Sequence, residues 1–99
     1  MARKTWRQNL RVMDALSIEQ GDRTLDVGCG HGRSLTELAS RAATGRIVGV
    51  GPSELMVEIA ARRNWAHVEA DRVSVVLASM ESLPFPDDSF DKVLCVHVL

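Results

Sequence analysis

The sequence predicts an α/β domain in which a parallel sheet is built by helices crossing between its strands. Three observations carry that expectation. Strand-like and helix-like segments alternate along the chain from Arg23 onward. The strand-like segments are continuous apolar runs rather than apolar–polar alternations, as strands covered on both faces require. The first of them, RTLDV, runs directly into a glycine-rich turn that opens a helix.

Each element follows from its own residues. Residues 4–19 read as a helix ending before Gly21, with Trp6, Leu10, Met13 and Ile18 approximating an apolar stripe. Arg23–Val27 is a short strand. From Arg33 to Ala43, Leu35, Leu38, Ala39 and Ala42 recur at three- and four-residue steps, a helical period. Thr44-Gly45 breaks that helix, and Arg46–Val50 follows as a buried-type strand. Pro52 suits a first helical turn. The helix it opens is predicted to run to about Trp65, with Leu55, Met56, Ile59 and Ala60 on one face. Val73–Ala78 is a third strand and Phe90–Val98 a fourth. Between them, residues 79–89 are too polar and proline-broken for a long helix, so a turn or a single helical turn is expected. His67, Glu69 and Asp71 read as a solvated connector, without metal-ligand spacing. Right-handed crossovers set the winding.

Composition excludes several classes. Ninety-nine residues make one domain at most, with a thin core. Twelve Lys and Arg against thirteen Asp and Glu, a net charge of −1, create no overall basic field for nucleic acid or an anionic membrane. No apolar run approaches the ~20 residues of a membrane span, and the N-terminus carries no signal-like apolar segment. Cys29 and Cys95 read as buried free thiols rather than a disulfide, which places the protein in the cytoplasm. Arg3, Lys4, Arg7 and Arg11 precede the first acid, Asp14. They are either a basic arm or the solvated face of the first helix, and the apolar stripe beside them favours the face.

The strongest chemical signal is Leu25-Asp26-Val27-Gly28-Cys29-Gly30-His31-Gly32-Arg33. Glycines between a strand and a helix permit positive φ and close backbone approach to a ligand. The helix adds unpaired N–H groups and the positive end of its dipole. A dinucleotide fingerprint, G-x-G-x-x-G, would need glycine at position 33, where Arg33 stands. With no acid ending the second strand either, a dinucleotide oxidoreductase is disfavoured.

The G-x-G-x-G spacing with Asp26 two residues ahead resembles the first motif of class I S-adenosylmethionine-dependent methyltransferases. Val48–Ser53 with Met56 is similar to that family's second motif. Met80–Asp91 is similar to the segment between strands three and four, above all in the methyltransferase type 11 branch that includes the ubiquinone and menaquinone methyltransferases. Together the three stretches cover about residues 22–99. The resemblance implies S-adenosylmethionine as cofactor and methyl transfer to a small-molecule acceptor. It implies a Rossmann-like three-layer α/β/α arrangement with a partial parallel sheet ordered 3-2-1-4. The family's sheet continues to seven strands, so the chain resembles one truncated, incomplete class I methyltransferase domain: an N-terminal helix over 1–20 and a cofactor-binding half over 22–99.

By the same resemblance, the glycine loop backs the methionine part of the cofactor and Asp26 helps hold its amino group. The implied cofactor site comprises Asp26, Gly28, Cys29, Gly30, His31, Gly32, Gly51, Pro52, Ser79, Met80 and Glu81. Two positions depart from the family pattern. Gly51 stands where the family carries an acid for the ribose hydroxyls, and Ser53 is placed to compensate in part. Ser79 stands where an Asp often accepts from the adenine amino group. Met80 either offers its N–H and side chain to the ring or fills the core.

His31 either touches the cofactor carboxylate or faces solvent. His97, near the end of the fourth strand, is a weak candidate general base beside its structural reading. Asp87 and Asp88 form a loop turn. With only four strands, the fourth is an edge that leaves Val93, Leu94, Val96 and Val98 uncovered on that side, which offers self-pairing into a homodimer. The alternative to an enzyme is a non-catalytic cofactor-binding or assembly module, since the rest of the fold and both usual acids are missing. No nucleic-acid or membrane partner is expected.

Overall fold

Apolar and β-branched runs make Arg23–Val27, Arg46–Gly51 and Val73–Leu77 strands β1, β2 and β3 of the computed structural model, and Lys92–Leu94 adds β4. The structure describes residues 3–95, with side chains from Trp6 to Cys95. The sheet is parallel, in the order β3-β2-β1-β4. Leu25 of β1 pairs with Val48 of β2 on one side and Val93 of β4 on the other. The chain steps outward from β1 to β3, then returns past β1 to lay down β4. The loop after β1 therefore sits where the winding reverses, the usual ligand position in open α/β sheets.

Helices α1 (Arg3–Leu16), α2 (Arg33–Arg41), α3 (Glu54–Arg63) and the short α4 (Trp65–Glu69) supply the cover. Met13, Leu35, Leu38 and Ala60 from α1, α2 and α3 close over Ile47, Val73 and Leu94 of the sheet, and Val68 of α4 joins them. Leu35 and Leu38 are fully enclosed, each worth about 1.5–3 kcal/mol of burial. The opposite sheet face presents Leu25, Val27 and Val50, covered by Ala78, Phe85 and Phe90. The two phenyl rings meet edge-on with centroids 5.2 Å apart. Among the described residues this face is covered by loop, as the proline-broken composition of 79–89 leads one to expect.

Long-range polar contacts lock the layers. Arg23 grips Asp91 through its backbone N–H at 2.8 Å and its guanidinium at 3.2 and 3.3 Å, while Asp91 N–H donates to the Arg23 carbonyl. That clamp sets β4 against the start of β1 and holds the Asp91 carboxyl below its usual range. Arg72 donates to the carbonyls of Ala39 and Ala42 at the end of α2 and to that of Gly45, a cation on the negative end of a helix. A Cβ at Gly45 would lie 2.0 Å from the Asp22 carbonyl oxygen, so the turn there accepts glycine alone.

Several elements differ from expectation, each for a visible reason. α1 stops at Leu16 because Ser17 turns left-handed at φ 52°; Ile18 reaches the core from beyond the helix. The third helix breaks at Asn64 into α3 and α4, so His67 and Glu69 stand on a helical turn rather than a connector. Leu55 is 64% exposed, because α3 turns Ala60 and Asn64 inward instead. β4 spans only Lys92–Leu94, while Phe90 leaves the strand to pack on Phe85. Leu94 is buried under α1, not uncovered, whereas Val93 is 51% exposed on the other face. Cys95 is exposed rather than buried, since it stands just past β4, where none of the described elements covers it. Val96, His97 and Val98 lie outside the described residues. Arg7 and Arg11 are exposed on α1, in keeping with the solvated-face reading.

Candidate functional site

The site begins with three backbone conformations. Gly28, Gly30 and Gly32 all have positive φ, at 80°, 55° and 91°, which a side chain would strain. The loop is fastened at its start, where the N–H groups of Gly28 and Cys29 both donate to the Val50 carbonyl at 2.8 and 3.0 Å. It is fastened again at its end, where Gly32 N–H donates to the Cys29 carbonyl at 3.1 Å. The N–H groups of Gly30 and His31 make none of these bonds. A Cβ at Gly30 would meet nothing within 4 Å, so the crest of the loop faces open space. Gly32 is the opposite case: a Cβ there would sit 2.8 Å from Ala60 Cα and 2.9 Å from Asn64 Nδ2. Glycine at 30 keeps a surface clear, and glycine at 32 lets α3 approach.

Two residues that sequence reasoning missed hold this loop. Asn64, buried at the α3–α4 break, donates to the Gly32 carbonyl at 3.0 Å and the Ala60 carbonyl at 2.9 Å, and accepts from Thr36 Oγ1 at 2.8 Å. Its only signal in the sequence is an amide interrupting a helical run. Ser34, in the first turn of α2, donates to the Asp26 carboxylate. The acid-to-serine spacing across the loop was visible, but its meaning depended on both side chains being enclosed.

Asp26 is 1% exposed, aimed at α2 beneath the loop. Burial pushes its carboxyl up to about 6, and the Ser34 hydrogen bond offsets part of that. Cys29 is buried in the helix-side core, and burial together with the neighbouring Asp26 charge pushes its thiol up to about 12. It is an inert core group whose contribution to the loop is its backbone. His31 is exposed.

The sheet brings the remaining residues to the same edge. Gly51 ends β2, and its carbonyl accepts from Ala78 N–H at 3.1 Å, so the Ser79 turn starts beside it. A Cβ at Gly51 would lie 3.5 Å from Val57 Cγ2 and 3.9 Å from Cys29 Sγ, ordinary contacts. Pro52 is exposed, and Ser53 caps α3 by accepting from Met56 N–H at 3.4 Å, which occupies one lone pair of its hydroxyl. Ser79 is exposed and accepts from Glu81 N–H at 3.2 Å. Met80 is 41% exposed rather than core-filling. Glu81 is exposed beside it. The edge thus joins the glycine loop, the β2 terminus and the 79–81 turn, while the acid of the set lies enclosed beneath them. His97 lies outside the described residues. Among the described residues no three His, Cys, Asp or Glu side chains gather to hold a metal, and no helix is long and apolar enough to cross a membrane.

Comparison with known proteins identifies a family and a fold for the chain. A family model described as a methyltransferase domain matches residues 24–99; that family's cofactor is S-adenosylmethionine. The demethylmenaquinone methyltransferase of Symbiobacterium thermophilum is 42% identical over 74 residues, 74% of this chain and 30% of that protein. The geranyl diphosphate C-methyltransferase of Streptomyces coelicolor, solved with S-adenosyl-L-homocysteine, superposes with a TM-score of 0.79 at 25% identity, over 91% of this chain and 34% of that one. The [4+2]-cyclase SpnF superposes with a TM-score of 0.76 at 32% identity, over 88% of this chain and 32% of that one. The chain thus spans about a third of the length of each of these proteins.

Proposed function

The chain belongs to the class I S-adenosylmethionine-dependent methyltransferase family, and from that premise we propose that it forms the cofactor-binding half of an enzyme transferring a methyl group to a small-molecule acceptor. The observation that carries the reading is the glycine loop at the reversal of the winding. Its ends are fastened, its crest is open at Gly30, and the N–H groups there are left to a ligand. Those groups suit the carboxylate of the cofactor's methionine part. The β2 terminus and the 79–81 turn border the place for its ribose and adenine, with Met80 supplying an apolar face and Ser79 a hydroxyl. When bound, the cofactor supplies an activated methyl on a sulfonium, so the protein's task is to position the acceptor in line.

Asp26 is a positioning residue in this reading. Its oxygen is committed to Ser34, and it joins the end of β1 to the first turn of α2. Its negative charge then lies beneath the loop, on the side from which it favours a cofactor ammonium. The small-molecule acceptor is supported by the substrates named for the demethylmenaquinone and geranyl diphosphate relatives.

A second reading, a module that binds the cofactor without transferring methyl, is favoured by Gly51, which carries no carboxylate for the ribose. The likeness to a protein described as a cyclase points the same way, since one scaffold serves more than one chemistry. Calorimetric titration of the chain with S-adenosylhomocysteine tests the shared premise. Binding at about 100 μM or tighter, roughly −5.5 kcal/mol, is expected; a folded chain with no measurable heat refutes the cofactor site. Acceptor-dependent formation of S-adenosylhomocysteine by the whole protein then separates the two readings.

A further inference from the structure

The arginines of the described chain sort into two groups. Arg23, Arg41, Arg46 and Arg62 each pair with a carboxylate, and Arg72 is spent on backbone carbonyls. Arg7, Arg11, Arg33 and Arg63 have no carboxylate within salt-bridge distance among the described residues, and of these Arg33 and Arg63 line one open groove of about 510 Å³. The cavity runs along the outer face of α2, where Arg33, Thr36, Glu37 and Ser40 fall at successive helical steps, and it is walled by Trp6 of α1 and Arg63 of α3. Glu37, the acid in it, is already held by Arg41 at 2.9 Å. The Arg33 guanidinium lies 4.1 Å from the centre of the Trp6 ring, a cation–π contact that holds it at the groove.

Two guanidiniums without a carboxylate partner among the described residues, one against an aromatic ring, beside the hydroxyl of Ser40, make an anion receptor. The groove is open to solvent, and its volume leaves room for more than a single ion. We propose that this groove binds a phosphate-bearing small molecule, with the phosphate held by Arg33 and Arg63 and the body of the ligand along Trp6 and Ser40. The groove lies on the helix face turned away from Leu35 and Leu38, so this site is distinct from the edge assigned to the cofactor.

The Trp6–Arg33 contact provides the test. In a Trp65→Phe background, Trp6 is the sole tryptophan, and inorganic pyrophosphate is titrated at constant ionic strength. The expected result is a saturable change in Trp6 emission with half-saturation below about 1 mM, weakened at least about tenfold by Arg33→Gln and by Arg63→Gln. Arg63→Gln should leave S-adenosylhomocysteine binding unchanged. If Trp65→Phe does not fold, the phosphorus resonance of pyrophosphate with the parent chain reads the same binding. The proposal is overturned if sodium chloride reproduces the response, or if both glutamine variants bind as the parent does. It is likewise overturned if only heparin, single-stranded DNA or anionic lipid vesicles bind.

Discussion

Replacing Asp26 by Asn removes a charge that the fold has enclosed, and the cost of that charge can be read from its titration. Burial pushes the folded carboxyl up to about 6, against 3.8 for an unperturbed one. Between those values the folded chain keeps a proton that the unfolded chain has lost, so stability falls as pH rises from about 4 to about 6 and is level above. The interval corresponds to about 3 kcal/mol. Asn carries no charge at any pH, and its carbonyl can still accept from Ser34, but its amide N–H group then lacks an acceptor, costing about 1–2 kcal/mol. Asp26→Asn should therefore be more stable than the parent by about 1–2 kcal/mol at pH 7 and less stable by a similar amount at pH 4. Urea unfolding followed by circular dichroism between pH 4 and 7.5 measures both curves. The difference between them isolates Asp26, because every other group is common to both. A parent chain that gains stability relative to Asp26→Asn as pH rises through this window would refute the claim that burial governs this carboxyl. The same variant should bind S-adenosylhomocysteine more weakly if the buried charge serves the cofactor's ammonium, a trade of stability for function.

Other outcomes follow from single contacts. Gly51→Asp restores a carboxylate at the end of β2, where a Cβ meets nothing closer than 3.5 Å. It should tighten S-adenosylhomocysteine binding about ten- to a hundredfold by calorimetry, and unchanged affinity would mean position 51 does not face the ribose. Asn64→Ala removes one donor from the Gly32 carbonyl, one from the Ala60 carbonyl and the acceptor at 2.8 Å from the Thr36 hydroxyl, all of which keep a second partner, and should cost about 1–2 kcal/mol in denaturant unfolding; a loss below about 0.5 kcal/mol would show that the clamp is idle. Native chain treated with iodoacetamide near pH 8 should modify Cys95 quickly and Cys29 only on unfolding, because Cys29 is buried with its thiol pushed up to about 12. Rapid labelling of both by mass spectrometry would place Cys29 at the surface.

What the sequence determined by itself is what neighbouring residues decide between them. Apolar runs of strand length, helical periods and the G-x-G-x-G spacing are local, and they located the sheet segments and the loop. The resemblance to the methyltransferases added the strand order, which the sheet reproduces. The edge we propose for the cofactor was legible to the extent that Gly28, Gly51 and Ser79 stand at or just past successive strand ends, because parallel strands in register bring those ends together. Tertiary structure alone decided solvation and partners. Asp26, which the resemblance assigns to the cofactor's amino group, is enclosed against Ser34, a setting no local pattern announced. Leu55 was read on one face with Ala60 yet is exposed where Ala60 is buried, Cys95 looked buried and is exposed, while Leu94, assigned to an open edge, lies beneath α1. Asn64 reaches the loop 32 residues away, and Arg72 caps a helix 33 residues away. Whether a side chain is covered, and by what, depends on segments far off in the chain, so no local pattern encodes it; those same distant segments enclose Asp26 and, among the described residues, set no carboxylate against Arg33 or Arg63.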